Sequence, residues 1–132
     1  MTDFLRSAGI PGPEFSFAYP GGPYAENARP LLEDRGFRLA RTTEHRAWDV
    51  RNDDPLRVPA VPIQGDHPEL FRNALSLCTD ERPVVLVFHG VPDSVHPFVS
   101  TPLPVLESYL KELDSNGYQM MSMRDCYRSF YA

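Results

Sequence analysis

Three short segments could carry chemistry, and each directly follows a stretch that has the pattern of a β-strand. They are residues 19–24, 43–49 and 89–93. His89 follows the apolar run 84–88, and an imidazole at the end of a strand suits general acid or base chemistry near neutral pH. The alternative role for His89 is a hydrogen bond to a neighbouring backbone carbonyl. Sequence position alone does not decide between these two roles.

The histidine and acid spacings predict no metal site made wholly by this chain. His45 and Asp49 are four positions apart, and His89 and His96 are seven apart. Neither pair lies on a predicted helix, so neither spacing places two ligands on one helix face. Trp48, the only tryptophan, has two possible roles. It could form the wall of a sugar-binding pocket, or it could anchor the surrounding loop.

Alternating strands and helices are predicted to position these segments. Strands are predicted at residues 15–19, 37–42, 84–88 and 118–121. Helices are predicted at residues 2–8, 27–36, 68–77, 102–116 and 122–131. Prolines repeatedly interrupt residues 43–68, which predicts a long loop with short extended pieces. The order of elements predicts an α/β fold of mostly parallel strands, with functional residues at the carboxyl ends of the strands.

Several local patterns give sharper expectations. Leucines at spacings of three and four predict a helix face packed in the core, and they are Leu103, Leu106, Leu110 and Leu113. Asn27 and Thr101 are predicted N-caps. Ser122 and Asp125 fit a capping box. The uninterrupted run 84–88 predicts a parallel strand buried on both faces.

Composition limits the class of protein. The 132 residues suit one domain over residues 1–132 and are too few for an eight-stranded α/β barrel, which needs about 250 residues. The net charge of −5 offers no basic stripe for nucleic acid. No apolar run is long enough to span a membrane, and the N-terminus lacks a secretory signal. We therefore expect a cytoplasmic protein whose Cys78 and Cys126 are reduced thiols, with one disulfide as the alternative.

Five segments also form a recognisable series of motifs. They are residues 17–24 (Phe-Ala-Tyr-Pro-Gly-Gly-Pro-Tyr), 31–37, 39–42, 86–91 (Leu-Val-Phe-His-Gly-Val) and 116–125. In order and spacing they resemble the second half of a polysaccharide deacetylase domain of the NodB-like kind, a carbohydrate esterase family. The resemblance covers essentially the whole chain but only the C-terminal half of the family domain.

This resemblance implies a partial, distorted (β/α) barrel that hydrolyses N-acetyl groups on sugars. It implies a divalent metal, often zinc, held by one aspartate and two histidines. His89 matches the family's late histidine, which protonates the departing amine. Leu86 matches the leucine that lines the acetyl pocket. The other positions assigned to substrate binding are Tyr19, Pro20 and Gly22 from the groove-wall motif, with Tyr24 and Trp48 as aromatic candidates.

The chain also departs from the family pattern. It lacks the Thr-Phe-Asp-Asp-Gly motif, which supplies the base and a metal ligand, and it lacks the His-x-x-x-His ligand motif. Ala18 stands where many members carry the arginine that orients the base, and Trp48-Asp49 reverses an Asp-Trp motif. We therefore expect no cofactor to be held by this chain alone. We also expect little or no activity, and any activity to be hydrolysis of a carbon–nitrogen bond other than a peptide bond.

The alternative function is a non-catalytic carbohydrate-binding or interaction module derived from the same fold. Tyr19, Tyr24 and Trp48 motivate it, because aromatic faces stack on sugars. Under either function the expected partner is a carbohydrate, such as an N-acetylated sugar. Half a barrel would leave an open sheet edge and an uncovered apolar face, so we also expect a homo-oligomer.

Overall fold

The computed structural model describes residues 2–10 and 15–131, which form two compact units. The first unit is built from the described residues of Met1–Thr43, Val50–Val58 and Met121–Ala132. The second unit is built from Glu44–Asp49 and Pro59–Met120. The expectation of one domain over residues 1–132 stays a prediction.

The first unit contains a parallel strand pair and three helices. Its elements are α1 (Thr2–Ser7), β1 (Ser16–Ala18), α2 (Arg29–Asp34), β2 (Leu39–Arg41) and α5 (Met123–Tyr131). In the parallel pair, Ser16 lies opposite Leu39 and Ala18 lies opposite Arg41. Val58 extends this pairing, because its N–H donates to the carbonyl of Ala40 at 2.8 Å.

The ends of the first unit's helices test the cap predictions. Pro30 lies in the first turn of α2, where its missing N–H leaves no helical hydrogen bond unmade. Gly36 follows α2 at a φ of +77°, a conformation that suits glycine. The prediction that Asn27 caps this helix is wrong, because a 3₁₀ turn occupies Glu26–Ala28 and Ala28 is the N-cap residue. The prediction that Ser122 caps α5 is confirmed, since the N–H of Asp125 donates to Ser122 Oγ at 3.1 Å, and this hydroxyl donates to Asp125 Oδ2 at 2.6 Å.

The second unit contains the other strand pair. Its elements are β3 (Val61–Pro62), α3 (Pro68–Leu75), β4 (Leu86–Val87) and α4 (Leu103–Ser115). β3 and β4 are parallel, with Val61 opposite Leu86. The predicted long loop therefore contains a strand. Prolines on and beside β3 keep that strand short, because proline cannot donate to a strand ladder.

A compact apolar core joins α3, α4 and the strands of the second unit. Phe71 and Tyr109 stack at its centre, with ring centroids 4.1 Å apart. The other buried members are Val61, Ile63, Ala74, Leu75 and Leu113. The prediction that all four leucines of α4 line the core is wrong, since Leu103 and Leu110 are exposed. The buried face follows Val105, Tyr109 and Leu113 instead, at the spacing of four that one helix face requires.

Three further expectations need correction. Residues 84–88 are half-buried rather than buried on both faces, and only Leu86–Val87 form a strand. Residues 118–121 form no strand and connect α4 to α5 as irregular backbone. Thr101 is buried but does not cap α4, whose N-cap residue is Pro102. The Thr101 hydroxyl donates instead to the Ile63 carbonyl, at 3.5 Å.

These elements define a mixed α/β fold with parallel strand pairs, as the order of elements predicts. Across residues 2–10 and 15–131 the strands form two separate two-stranded sheets, and no closed barrel is present. In the same part of the chain, no helix has both the length and the apolar character needed to cross a membrane.

Candidate functional site

The candidate site begins where β4 ends. Leu86, within β4, packs against the second unit's core and fixes the position of the strand. His89 follows two residues after the strand. Its side chain is 54% exposed, so the imidazole is accessible from solvent. The site therefore has a buried support and an exposed reactive group.

The loop after His89 folds back on itself around Asp93. A Cβ on Gly90 would lie 2.5 Å from the Cβ of Asp93, so only glycine permits this approach. The N–H of Asp93 donates to Ser100 Oγ at 2.8 Å, and the N–H of Thr101 donates to the Gly90 carbonyl at 3.0 Å. These contacts hold the two ends of the loop together.

The Asp93 carboxylate is the centre of the site. Its Oδ1 accepts the backbone N–H groups of Val95 and His96, at 2.9 Å and 2.8 Å. Its Oδ2 lies 2.7 Å from His89 Nδ1 and 3.3 Å from His96 Nδ1. The pKa of Asp93 is lowered to about 2. The largest cause is the backbone N–H of His96, and the His89 ring and the Val95 N–H also lower it. Asp93 is therefore an anion at neutral pH.

The two histidines share this carboxylate. Their ring centroids are 5.3 Å apart and meet edge to face, and the His96 side chain is 50% exposed. A proton on each Nδ1 would let both rings donate to this carboxylate, which would fix the ring orientation and leave Nε2 for other chemistry. We call His89, Asp93 and His96 the His–Asp–His cluster. It can transfer a proton, and its donor set of two imidazoles and one carboxylate also fits zinc.

The residues predicted to bind substrate in the first unit have a different setting. Tyr19 is only 2% exposed, and its hydroxyl donates to the Leu56 carbonyl at 2.9 Å. Burial raises the pKa of Tyr19, so its phenol stays neutral. Tyr24 is half-buried, meets Tyr19 edge to face at 5.5 Å, and has the Arg57 guanidinium 5.2 Å above its ring. The structure brings these two tyrosines together as packing partners.

The turn between these tyrosines is also shaped by packing. Pro20 is exposed, whereas Gly22 is buried at a φ of +97°. A Cβ on Gly22 would lie 2.3 Å from Thr43 Oγ1, so a side chain is excluded there. Gly22 is therefore needed for the turn itself.

Trp48 and Leu86 belong to the second unit with His89. Trp48 is fully buried, and its backbone N–H donates to the Pro83 carbonyl at 2.9 Å. A buried ring offers no face for sugar stacking, so this geometry fits the anchoring role. Leu86 is half-buried in the core, where it supports β4.

Asp93 lies in the predicted segment 89–93 but was given no role of its own, and His96 was considered with His89 and set aside. The requirement that metal ligands share a helix face excluded His96, because residues 90–100 predict no helix. The missed signal was local, since an aspartate can accept backbone N–H groups two and three positions later and so turn the chain back. That turn brings His96 to the carboxylate that also holds His89.

Comparisons of this chain with protein-family models, with curated proteins and with solved structures find no match. The resemblance to polysaccharide deacetylases remains a prediction from the sequence motifs. The chemistry of the His–Asp–His cluster is accordingly the basis for the function proposed below.

Proposed function

We propose that the chain forms the C-terminal half of a sugar N-deacetylase site, in which His89 delivers a proton to the departing amine. The observation that supports this proposal is the exposed His89 imidazole held by the Asp93 carboxylate at the end of β4. The proposal includes a partial (β/α) barrel and an N-acetylated sugar as substrate, both from the motif resemblance. The wider reaction class is hydrolysis of a carbon–nitrogen bond other than a peptide bond.

The reaction needs a proton donor because an amide nitrogen leaves poorly as an anion. Water adds to the acetyl carbonyl, the carbon–nitrogen bond breaks, and the products are acetate and a sugar amine. His89 Nε2 takes a proton from the attacking water and returns it to that nitrogen as the carbon–nitrogen bond breaks, while Asp93 accepts Nδ1–H and stabilises the imidazolium formed between the two transfers. A positioned general acid contributes about 10²–10⁴-fold to such a rate. The zinc that the resemblance implies would polarise the acetyl carbonyl, and its ligands would have to come from outside these 132 residues, which lack the family's ligand motifs.

Three of the residues matched to substrate binding have structural roles within their own units. Leu86 supports the strand that presents His89. Tyr19 and Gly22 shape the turn after β1 by packing. A carbohydrate-binding module without catalysis has weaker support, because Trp48 and Tyr19 are buried.

The test is acetate release from N-acetylglucosamine oligomers by the full chain, without metal and with added zinc or cobalt. We expect slow release above the buffer rate without added metal, at least tenfold slower in His89→Ala. His67→Ala is the matched control, since His67 is an exposed histidine of the same unit and lies outside the cluster. It should leave the rate unchanged.

Two results would overturn catalysis by His89 in this chain alone. One is no release above buffer in any of the three metal conditions. The other is release by His89→Ala at the wild-type rate, which would assign the activity to another group. Circular dichroism of each variant shows whether a lost rate reflects lost folding.

A further inference from the structure

The His–Asp–His cluster has a second chemical capability that needs neither a sugar nor hydrolysis. One nitrogen from each ring and one carboxylate oxygen of Asp93 all lie within 4.8 Å of one another. Both Nδ1 atoms approach the same oxygen, Asp93 Oδ2, at 2.7 Å for His89 and 3.3 Å for His96. Three good metal-ligand atoms therefore converge on one small region.

The distances from the two Nδ1 atoms to Asp93 Oδ2 are close to the distances between ligand atoms around a bound zinc ion. Zinc bonds of about 2.0–2.2 Å place tetrahedral ligand atoms roughly 3.3–3.5 Å apart. The His96 distance already falls in this range, and the His89 distance is shorter by only about half an ångström. Because both imidazoles are about half exposed, small ring movements can admit a cation.

The carboxylate is fixed before any cation arrives. Its second oxygen, Oδ1, is held by two backbone N–H groups, and its side chain is only 12% exposed. The close approach at Gly90 and the bond to Ser100 hold the backbone of Asp93. A ligand held in this way loses little conformational freedom on binding, which favours affinity.

We infer that His89, Asp93 and His96 bind one divalent transition-metal cation of the zinc class. Two imidazole nitrogens select zinc or cobalt over magnesium and calcium, which prefer sites made of oxygen ligands. Three protein ligands leave at least one coordination position open for water or a small anion, as in zinc sites that take up a further ligand.

This inference goes beyond the proposed function and is separate from it. A cation on Nδ1 of His89 displaces the proton that His89 shares with Asp93. The metal-loaded cluster and the proton-donating cluster are therefore alternative states of the same residues. Metal binding and acetate release are measured independently, so failure of one does not imply failure of the other.

The test is calorimetric titration of the untagged full chain with zinc chloride, together with the visible absorption spectrum of the cobalt(II) form. We expect one zinc per chain, a cobalt spectrum of low coordination number, and no binding of magnesium chloride. His96→Ala and Asp93→Ala should each weaken zinc binding at least tenfold. His96 is the informative position, because the proposed proton transfer from His89 does not require it.

Controls separate the cluster from other donors. Cys78→Ser tests the half-buried free thiol, and His67→Ala tests an exposed histidine elsewhere in the second unit. Both variants should bind zinc like the wild type. Absence of zinc binding by the wild type would overturn the inference, as would unchanged affinity in His96→Ala. Wild-type circular dichroism in His96→Ala would show that its lost affinity reflects a lost ligand.

Discussion

Two segments of this chain follow parallel strands in the same way and reach opposite outcomes. Tyr19 directly follows β1, and His89 follows β4. Tyr19 is 2% exposed, whereas the His89 side chain is 54% exposed. The carboxyl end of a strand is where functional groups gather in α/β folds. The contrast shows that this position alone does not create an accessible group.

The difference arises from what each segment packs against. Tyr19 lies in the first unit's core, where its ring meets Phe17 and Tyr24 and its hydroxyl is satisfied by the Leu56 carbonyl. The segment after β4 turns on hydrogen bonds to Asp93 instead, and these leave both imidazoles half exposed. The Tyr19 ring therefore lies in a core, whereas the two imidazoles lie at the surface.

The largest expected effect comes from removing the buried ring. Tyr19→Ala should lower the free energy of unfolding by about 4 kcal/mol, because it creates a cavity and leaves the Leu56 carbonyl without its donor. Tyr19→Phe keeps the ring and should cost only about 1 kcal/mol. Urea denaturation of both variants measures the two contributions. A loss below about 1 kcal/mol in Tyr19→Ala would contradict the comparison, since Tyr19 would then not be a stabilising member of the first unit's core.

A smaller effect should come from the turn beyond Tyr19. Gly22→Ala should cost about 3 kcal/mol, because it adds a clash with Thr43 to the strain of a positive φ. Gly36→Ala is the matched control, since Gly36 has a positive φ and open space around it. It should cost only about 1–2 kcal/mol. Thermal and urea unfolding of the two variants compare these losses.

The difference between the stability losses of Gly22→Ala and Gly36→Ala measures the cost of the clash with Thr43. Thr43→Ala removes the two atoms closest to the added Cβ, so it should recover part of the loss when combined with Gly22→Ala. Equal losses at Gly22 and Gly36 would contradict the packing argument. The turn after β1 would then be a surface feature, more like the segment after β4.

The sequence was most informative where the cause is local. It predicted a helix that ends at residue 36 and the cap at Ser122, because each depends on a few adjacent residues. It also predicted the order of helices and strands over most of the chain. It placed His89 at the end of a strand, although only Leu86–Val87 form that strand.

The features that it missed depend on partners distant in the sequence. Short extended pieces were predicted within residues 43–68, but the pairing of one of them as β3 was not, because its partner Leu86 lies elsewhere in the sequence. The face of α4 is set by Phe71 packing on Tyr109, which outweighed the leucine periodicity. The His–Asp–His cluster was missed for another reason. Its ligands are close in sequence, but a loop rather than a helix brings them together.

The smallest expected effect on the free energy of unfolding comes from His89, the exposed residue of the comparison. His89→Ala should change the free energy of unfolding by less than about 0.5 kcal/mol, as is usual for exposed side chains outside the framework. Removing the imidazole leaves Asp93 with the backbone N–H groups of Val95 and His96, so this partly buried carboxylate keeps two of its donors. Urea denaturation at neutral pH, alongside Tyr19→Ala, gives the direct contrast. A loss above about 1 kcal/mol would mean that His89, like Tyr19, stabilises the fold. The exposure of its side chain would then no longer indicate a functional role.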